Sequence, residues 1–195
     1  MAKPNVISKG DLIKSAKECL VHNGIDKFTL RSVAELAGVT QGTIYYHFKT
    51  KEQLLLHIVQ DICDSSWSEI SHQSNPYIIS QAIKSAKSRC SYDSFFHKLF
   101  FTLLVSSFTN EKIRRQLEEI TRSENNALTQ NLMNLWSQSP IDGVSIETWG
   151  ILINAMIDGL ALQALLKKDF PVEKTYAEIE RLFNSLTRLL NEGDK

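Results

Sequence analysis

Residues 40 to 51, TQGTIYYHFKTK, gather side chains suited to holding nucleic acid. Tyr45, Tyr46, the threonine hydroxyls, His47 and Lys51 can each bond phosphate oxygens, while Gln41 and, upstream, Arg31 have the planar two-point geometry that reads base edges. Gly42 adds no side chain where the start of a helix would approach a duplex. Amides at that end lack helical partners and carry partial positive charge, which suits a phosphate.

Such groups need a rigid carrier, and the flanking sequence supplies one. Thr29 is a good N-cap, and Val33, Leu36 and Ala37 recur after it at helical spacing. Gly38 reaches the left-handed conformation that closes a helix without Cβ strain, and the apolar Val39 anchors the turn. Thr40 caps a second helix in which Ile44 and Phe48, four apart, mark the buried face and turn Tyr45 and Tyr46 toward solvent. A helix of about nine residues is marginal alone, so tertiary packing must hold it, leaving the outer face free for recognition. Helix, glycine turn and helix is also a common packing unit in helical proteins, and His47 suits a structural bond to the following helix as well as it suits phosphate.

Residues 9 to 58 together resemble the DNA-binding domain of TetR-type transcriptional repressors. A first helix is followed by TLRSVAELAGV, the recognition helix TQGTIYYHF, and KTKEQLL opening a long fourth helix. The resemblance implies a homodimer on a near-palindromic double-stranded operator, with the remaining helices forming an effector pocket and the dimer interface. By position in the motif, Arg31, Gln41, Gly42 and Thr43 would lie near base edges. Thr40, Tyr45, Tyr46, His47 and Lys51 would lie near phosphates.

The expected fold is all-α, about nine helices, with a three-helix DNA-binding domain over residues 1–50 and a larger helical effector-binding and dimerisation domain over 51–195. Eight glycines and four prolines in 195 residues, with little apolar alternation, favour helix. The apolar runs are broken by charges and Met1 to Gly10 lacks a secretory core, so no membrane span and a cytoplasmic location are expected. Net charge is zero, yet residues 1–60 carry eight basic against five acidic side chains, with the opposite balance beyond. Affinity for DNA should therefore depend on salt without being driven by bulk charge. Cys19, Cys63 and Cys90 are widely spaced and lack CxxC spacing, which favours reduced structural thiols, and neither a metal site nor a cofactor is expected.

Ser8 with Asp11 predicts a capped first helix from Lys9 to Asn23, with an apolar stripe of Leu12, Ile13, Ala16, Cys19 and Leu20. Thr50 with Gln53 predicts a capping box for the fourth helix. SHQSNP should form a loop, with Pro76 opening a fifth helix. The sixth, from Ser91 to near Asn110, is aromatic on more than one face and so expected at the centre of the second domain. A seventh should span Glu111 to Trp136, an eighth Ser145 to Lys168, and a ninth Pro171 to Leu190.

The last two carry more apolar surface than one small domain needs, which predicts a four-helix bundle with their symmetry mates. The interface residues expected are Trp149, Ile153, Met156, Gly159, Leu160, Ile179, Phe183 and Leu186, with Gly159 at a close crossing. DGLALQALL also resembles the family's dimer helix. An aromatic-lined cavity between helices five to eight would suit a hydrophobic or flat effector, with Phe96, His97, Phe100, Arg122, Asn126 and Trp149 as candidate contacts. A ligand-responsive repressor is therefore the leading expectation. The other class is a helical small-molecule-binding protein or enzyme using the helix-turn-helix as scaffold, but GxSxG, HExxH and a phosphate-cradling glycine loop are missing from the sequence.

Overall fold

A computed structural model of the chain describes residues 7–71 and 78–193. Among them every regular element is helical: α1 Lys9–Asn23, α2 Leu30–Ala37, α3 Gln41–Phe48, α4 Lys51–Ser71, α5 Ile78–Arg89, α6 Phe95–Ser107, α7 Glu111–Leu135, α8 Ile146–Leu166 and α9 Val172–Gly193. Ser71, expected to open a loop, ends α4, and the remainder of that loop with the helix start at Pro76 lies outside the described residues, as does most of Met1 to Gly10.

Local signals set the early boundaries. Ser8 and Asp11 make the reciprocal capping box, and Gly24, at φ 71°, closes α1 with its N–H on the Leu20 carbonyl. Thr50 caps α4 by accepting from the Gln53 amide at 3.2 Å. The Gln53 side chain does not return the bond. It pairs with the Gln116 amide, donating to Oε1 at 2.7 Å.

The chain forms two compact units, one of residues 1–62 with 99–117, the other of 63–98 with 118–195. In the first, Leu12, Ala16, Cys19 and Leu20 of α1 are buried with Phe28, Val33, Ala34, Ile44, Phe48, Leu54 and Ile58. Leu36 departs from expectation: it is 47% exposed, and Ala34 takes the inward place beside Val33. The sixth helix also differs from the sequence reading. Phe96, Leu99, Phe100 and Leu103 are buried, whereas Leu104, Val105 and Phe108 face outward, and from Leu99 onward the helix belongs to the first unit rather than to the centre of the second.

In the second unit α5 packs on α9. One cluster joins Leu132 and Trp136 to Phe183 and Leu186, with Trp149, Ile153, Met156 and Ile179 against it. Another joins Ala86, Cys90, Ala164 and Tyr176, with Leu160 against it. Seven of the eight expected interface residues thus pack within the chain, Phe183 and Leu186 buried and the other five partly exposed. The eighth, Gly159, meets nothing: a Cβ there would have no neighbour within 4 Å. The close crossing is at Gly150, where a Cβ would stand 2.4 Å from Thr129 Oγ1 and 3.1 Å from the Asn125 carbonyl. Asn154 on α8 donates to Asn125 on α7 at 2.8 Å beside it.

Among the described residues α8 is long and apolar enough to cross a membrane by length and composition alone, a test that the core helix of a globular protein also meets. Its apolar residues have two other demands on them. One set lines the interior just described, and Ile151, Leu152, Leu162 and Leu166 stand exposed on another side.

Candidate nucleic-acid interface

The interface is built on α2 and α3. Thr29 Oγ1 accepts from the Ser32 amide at 3.0 Å, and Ser32 Oγ accepts from the Thr29 amide at 3.0 Å. Gly38 then takes the left-handed conformation, φ 65° and ψ 29°, and the Val39 amide bonds back to the Ala34 carbonyl at 3.0 Å. That closure turns the chain within three residues, and Thr40 at once caps α3 by accepting from the Thr43 amide at 3.2 Å.

Two buried anchors orient α3. Ile44 is wholly buried and Phe48 is 2% exposed, so the opposite face is fixed: Tyr45 is 56% and Tyr46 72% exposed. Gln41 and Gly42 lie exposed at the start of the helix, with Thr43 half-buried. Gly42 has no packing reason to be glycine, since its Cβ would meet only Thr40 Oγ1, at an ordinary 3.5 Å. The space it leaves open faces outward.

A histidine not anticipated from sequence ties α3 to its neighbours. His57 on α4 stands edge-on to Phe48, ring centroids 5.6 Å apart, and its Nε2 lies 3.0 Å from the Lys9 ammonium. Burial, reinforced by Lys9, lowers its pKa from the ordinary 6.5 and favours the neutral ring, which accepts from lysine. His47 instead is half-buried on the interface side, edge-on to Tyr46 at 5.2 Å.

The cations are more engaged than their spacing suggested. Lys51 Nζ donates to the Ile25 carbonyl at 3.1 Å and lies over the Phe28 ring, so it buttresses the turn between α1 and α2. Arg31 is exposed but paired with Glu35 at 2.9 Å. Lys49 was missed in sequence. It caps α3 at φ 64°, an uncommon conformation for a side-chain-bearing residue, and its ammonium lies 5.3 Å from the Tyr45 ring centre and 5.4 Å from that of Tyr46. The available signal was a lysine directly after the aromatic helix, three and four residues beyond the two tyrosines.

The candidate effector residues do not gather at one place. Arg122 and Asn126 border an open cleft of about 490 Å³ between α7 and α8. Phe96 and His97 stack edge-on, Phe100 is buried core, and the Trp149 indole donates to Ser139 at 3.1 Å. A separate apolar cavity of about 80 Å³, bordered by α5, α7, α8 and α9, includes none of the six. Its walls are largely aliphatic, because the phenylalanines of α6 pack elsewhere. The three cysteines are free and buried.

Residues 12–58 match the family model described as bacterial regulatory proteins, tetR family. The chain is 24% identical over 177 residues to the HTH-type transcriptional regulator TtgR of Pseudomonas putida, covering 83% of this chain and 82% of that one. Over 61 residues it is 39% identical to the HTH-type transcriptional regulator QacR of Staphylococcus aureus, covering 31% and 32%. Its fold is similar to that of a Rhodococcus structure described as a TetR-family transcriptional regulator, with a TM-score of 0.68, 18% identity, and 91% and 96% of the two chains covered. With its capped two-helix motif and outward tyrosines, the segment of residues 12–58 is a DNA-binding domain of the tetR type, and the chain as a whole is similar to TetR-family transcriptional regulators.

Proposed function

We propose that the chain is a repressor that binds a near-palindromic operator as a homodimer and is released by a small-molecule effector. The observation that carries this reading is the fixed outer face of α3, where two tyrosines and Gln41 stand exposed over the buried anchors Ile44 and Phe48. Arg31, Gln41, Gly42 and Thr43 are proposed to lie at base edges, and Thr40, Tyr45, Tyr46, His47, Lys49 and Lys51 toward phosphates. Each recognition helix would enter a major groove, the two about 34 Å apart, and bound protein would occlude a promoter. The repressor would work in the cytoplasm, where its operator is.

The proposed dimer surface is the exposed apolar stripe of the last two long helices: Ile151, Leu152, Leu162 and Leu166 on α8, with Leu182 and Leu189 on α9. Large exposed apolar side chains that fall on one side of each helix, as Leu162 and Leu166 do four apart and Leu182 and Leu189 seven apart, are suited to a bundle with a second copy. Gly159 lies half-buried in the same helix with open space before it, which allows a partner helix to approach closely.

Selection of bound fragments from genomic DNA by mobility shift at moderate salt tests the reading. Enrichment of an inverted repeat is expected. Equal recovery of all sequences would overturn it.

A further inference from the structure

The cavity between α5, α7, α8 and α9 is apolar along Leu128, Leu132, Ile153 and Met156, but Arg89 and Tyr176 stand in its wall. Arg89 Nε is buried without a hydrogen-bond partner, and the buried Tyr176 hydroxyl has only the weakly bonding Cys90 thiol beside it. No carboxylate stands within ion-pair distance of the Arg89 guanidinium among the described residues; it lies instead over the Phe96 ring, 5.2 Å from its centre. A ring face compensates a cation only in part, and buried donors without acceptors are costly and uncommon in folded proteins. Glu124, the buried carboxyl whose field reaches Arg89, is raised above the ordinary carboxylate range by burial, and it accepts from the Cys63 thiol at 3.3 Å. It is therefore a weakened counter-charge for the arginine.

We infer that this cavity is the effector site and that its ligand is an apolar carboxylic acid, the carboxylate facing Arg89 and Tyr176 and the hydrocarbon lying along the aliphatic wall. An arginine and a hydroxyl in the wall of an otherwise apolar cavity are donors that a carboxylate's oxygens satisfy, an alcohol satisfies in part, and an ammonium cannot accept from while the arginine repels it. At roughly 10–15 Å³ for each water-sized position, about 80 Å³ suits a short chain or single ring rather than a long lipid. The inference rests on the effector-release reading above and adds the ligand's chemical class.

The test uses the full chain without DNA, by calorimetric titration and thermal melting, with octanoate, octan-1-ol and octylammonium at neutral pH. Octanoate should bind tightest, octanol at least tenfold more weakly, and octylammonium not measurably. Arg89→Met should weaken octanoate at least tenfold while leaving octanol within about threefold, and Tyr176→Phe should weaken octanoate severalfold. Octanol or octylammonium equalling octanoate on the unaltered protein overturns the inference whatever the variants do, and so does undetectable octanoate binding. The operator complex is then challenged with octanoate separately. Binding that leaves the complex intact keeps the ligand class and removes the release reading; release by a neutral or cationic compound with no octanoate binding keeps release and removes the class.

Discussion

Arg31 Nε and Glu35 Oε1 lie 2.9 Å apart, one turn along the exposed side of α2, so the arginine proposed to read a base is already held by a carboxylate. An exposed pair of this spacing contributes only about 0.3–0.5 kcal/mol, little enough for a guanine edge to displace it. Arg31→Ala should therefore cost about 1 to 3 kcal/mol on the selected operator and relax base preference. Glu35→Gln should raise affinity for every duplex by removing a charge that phosphates repel. Mobility-shift titrations giving unchanged affinity for both variants would remove Arg31 from the interface.

Gly42→Ala separates folding from recognition. A Cβ there meets only an ordinary contact, and alanine is the better helix former by up to about 1 kcal/mol, so denaturant unfolding should show equal or higher stability. Operator affinity should nevertheless fall, because the methyl projects from the exposed helix start. A variant that binds DNA like the parent would show that the open space is not used.

Gly150→Ala should destabilise the second unit by about 1 to 3 kcal/mol, since its methyl would stand 2.4 Å from Thr129 Oγ1. Adding Thr129→Ala should recover part of the loss, though it removes the Thr129 bond to the Asn125 carbonyl. Thermal melts of the single and double variants check this; additive losses would place the crowding elsewhere.

Leu162→Glu with Leu189→Glu should yield a folded monomer. Both side chains are exposed in the protomer, 44% and 58%, so their replacement leaves its interior intact while burying charge in the proposed bundle. Sedimentation analysis with far-UV circular dichroism decides between a helical monomer, as expected, and an unchanged dimer.

His57 gives the first unit a pH dependence of definite sign. Burial and Lys9 lower its pKa, so the unfolded chain takes up a proton near 6.5 while the folded chain resists until lower pH. Its contribution is thus full above that value and is lost as pH falls from there through the lower folded value. His57→Gln, which keeps an acceptor for Lys9, should flatten that part of the stability profile in urea unfolding. Parallel profiles for variant and parent would assign the acid sensitivity to other groups.

What the sequence determined by itself lay mostly in signals read over three to five residues. Ser8 with Asp11, Thr29, Gly38 and Thr40 marked their helix ends because caps and left-handed closures are satisfied locally, and Ile44 with Phe48 set which side of α3 is buried because its other side is polar. Tertiary structure alone decided the faces of α6, α8 and α9. In α6 and α8, apolar on several sides, the period selects no inward face, and on α9 the apolar stripe is broad enough that neighbours chose Phe183 and Leu186 for the interior and left Leu182 and Leu189, at its edge, outside. The meeting of Arg89 with Tyr176 in one cavity wall joins residues 87 positions apart, and the His57 contact with Lys9 joins residues 48 apart. No local pattern encodes such pairs, because their energies depend on packing between helices distant in sequence.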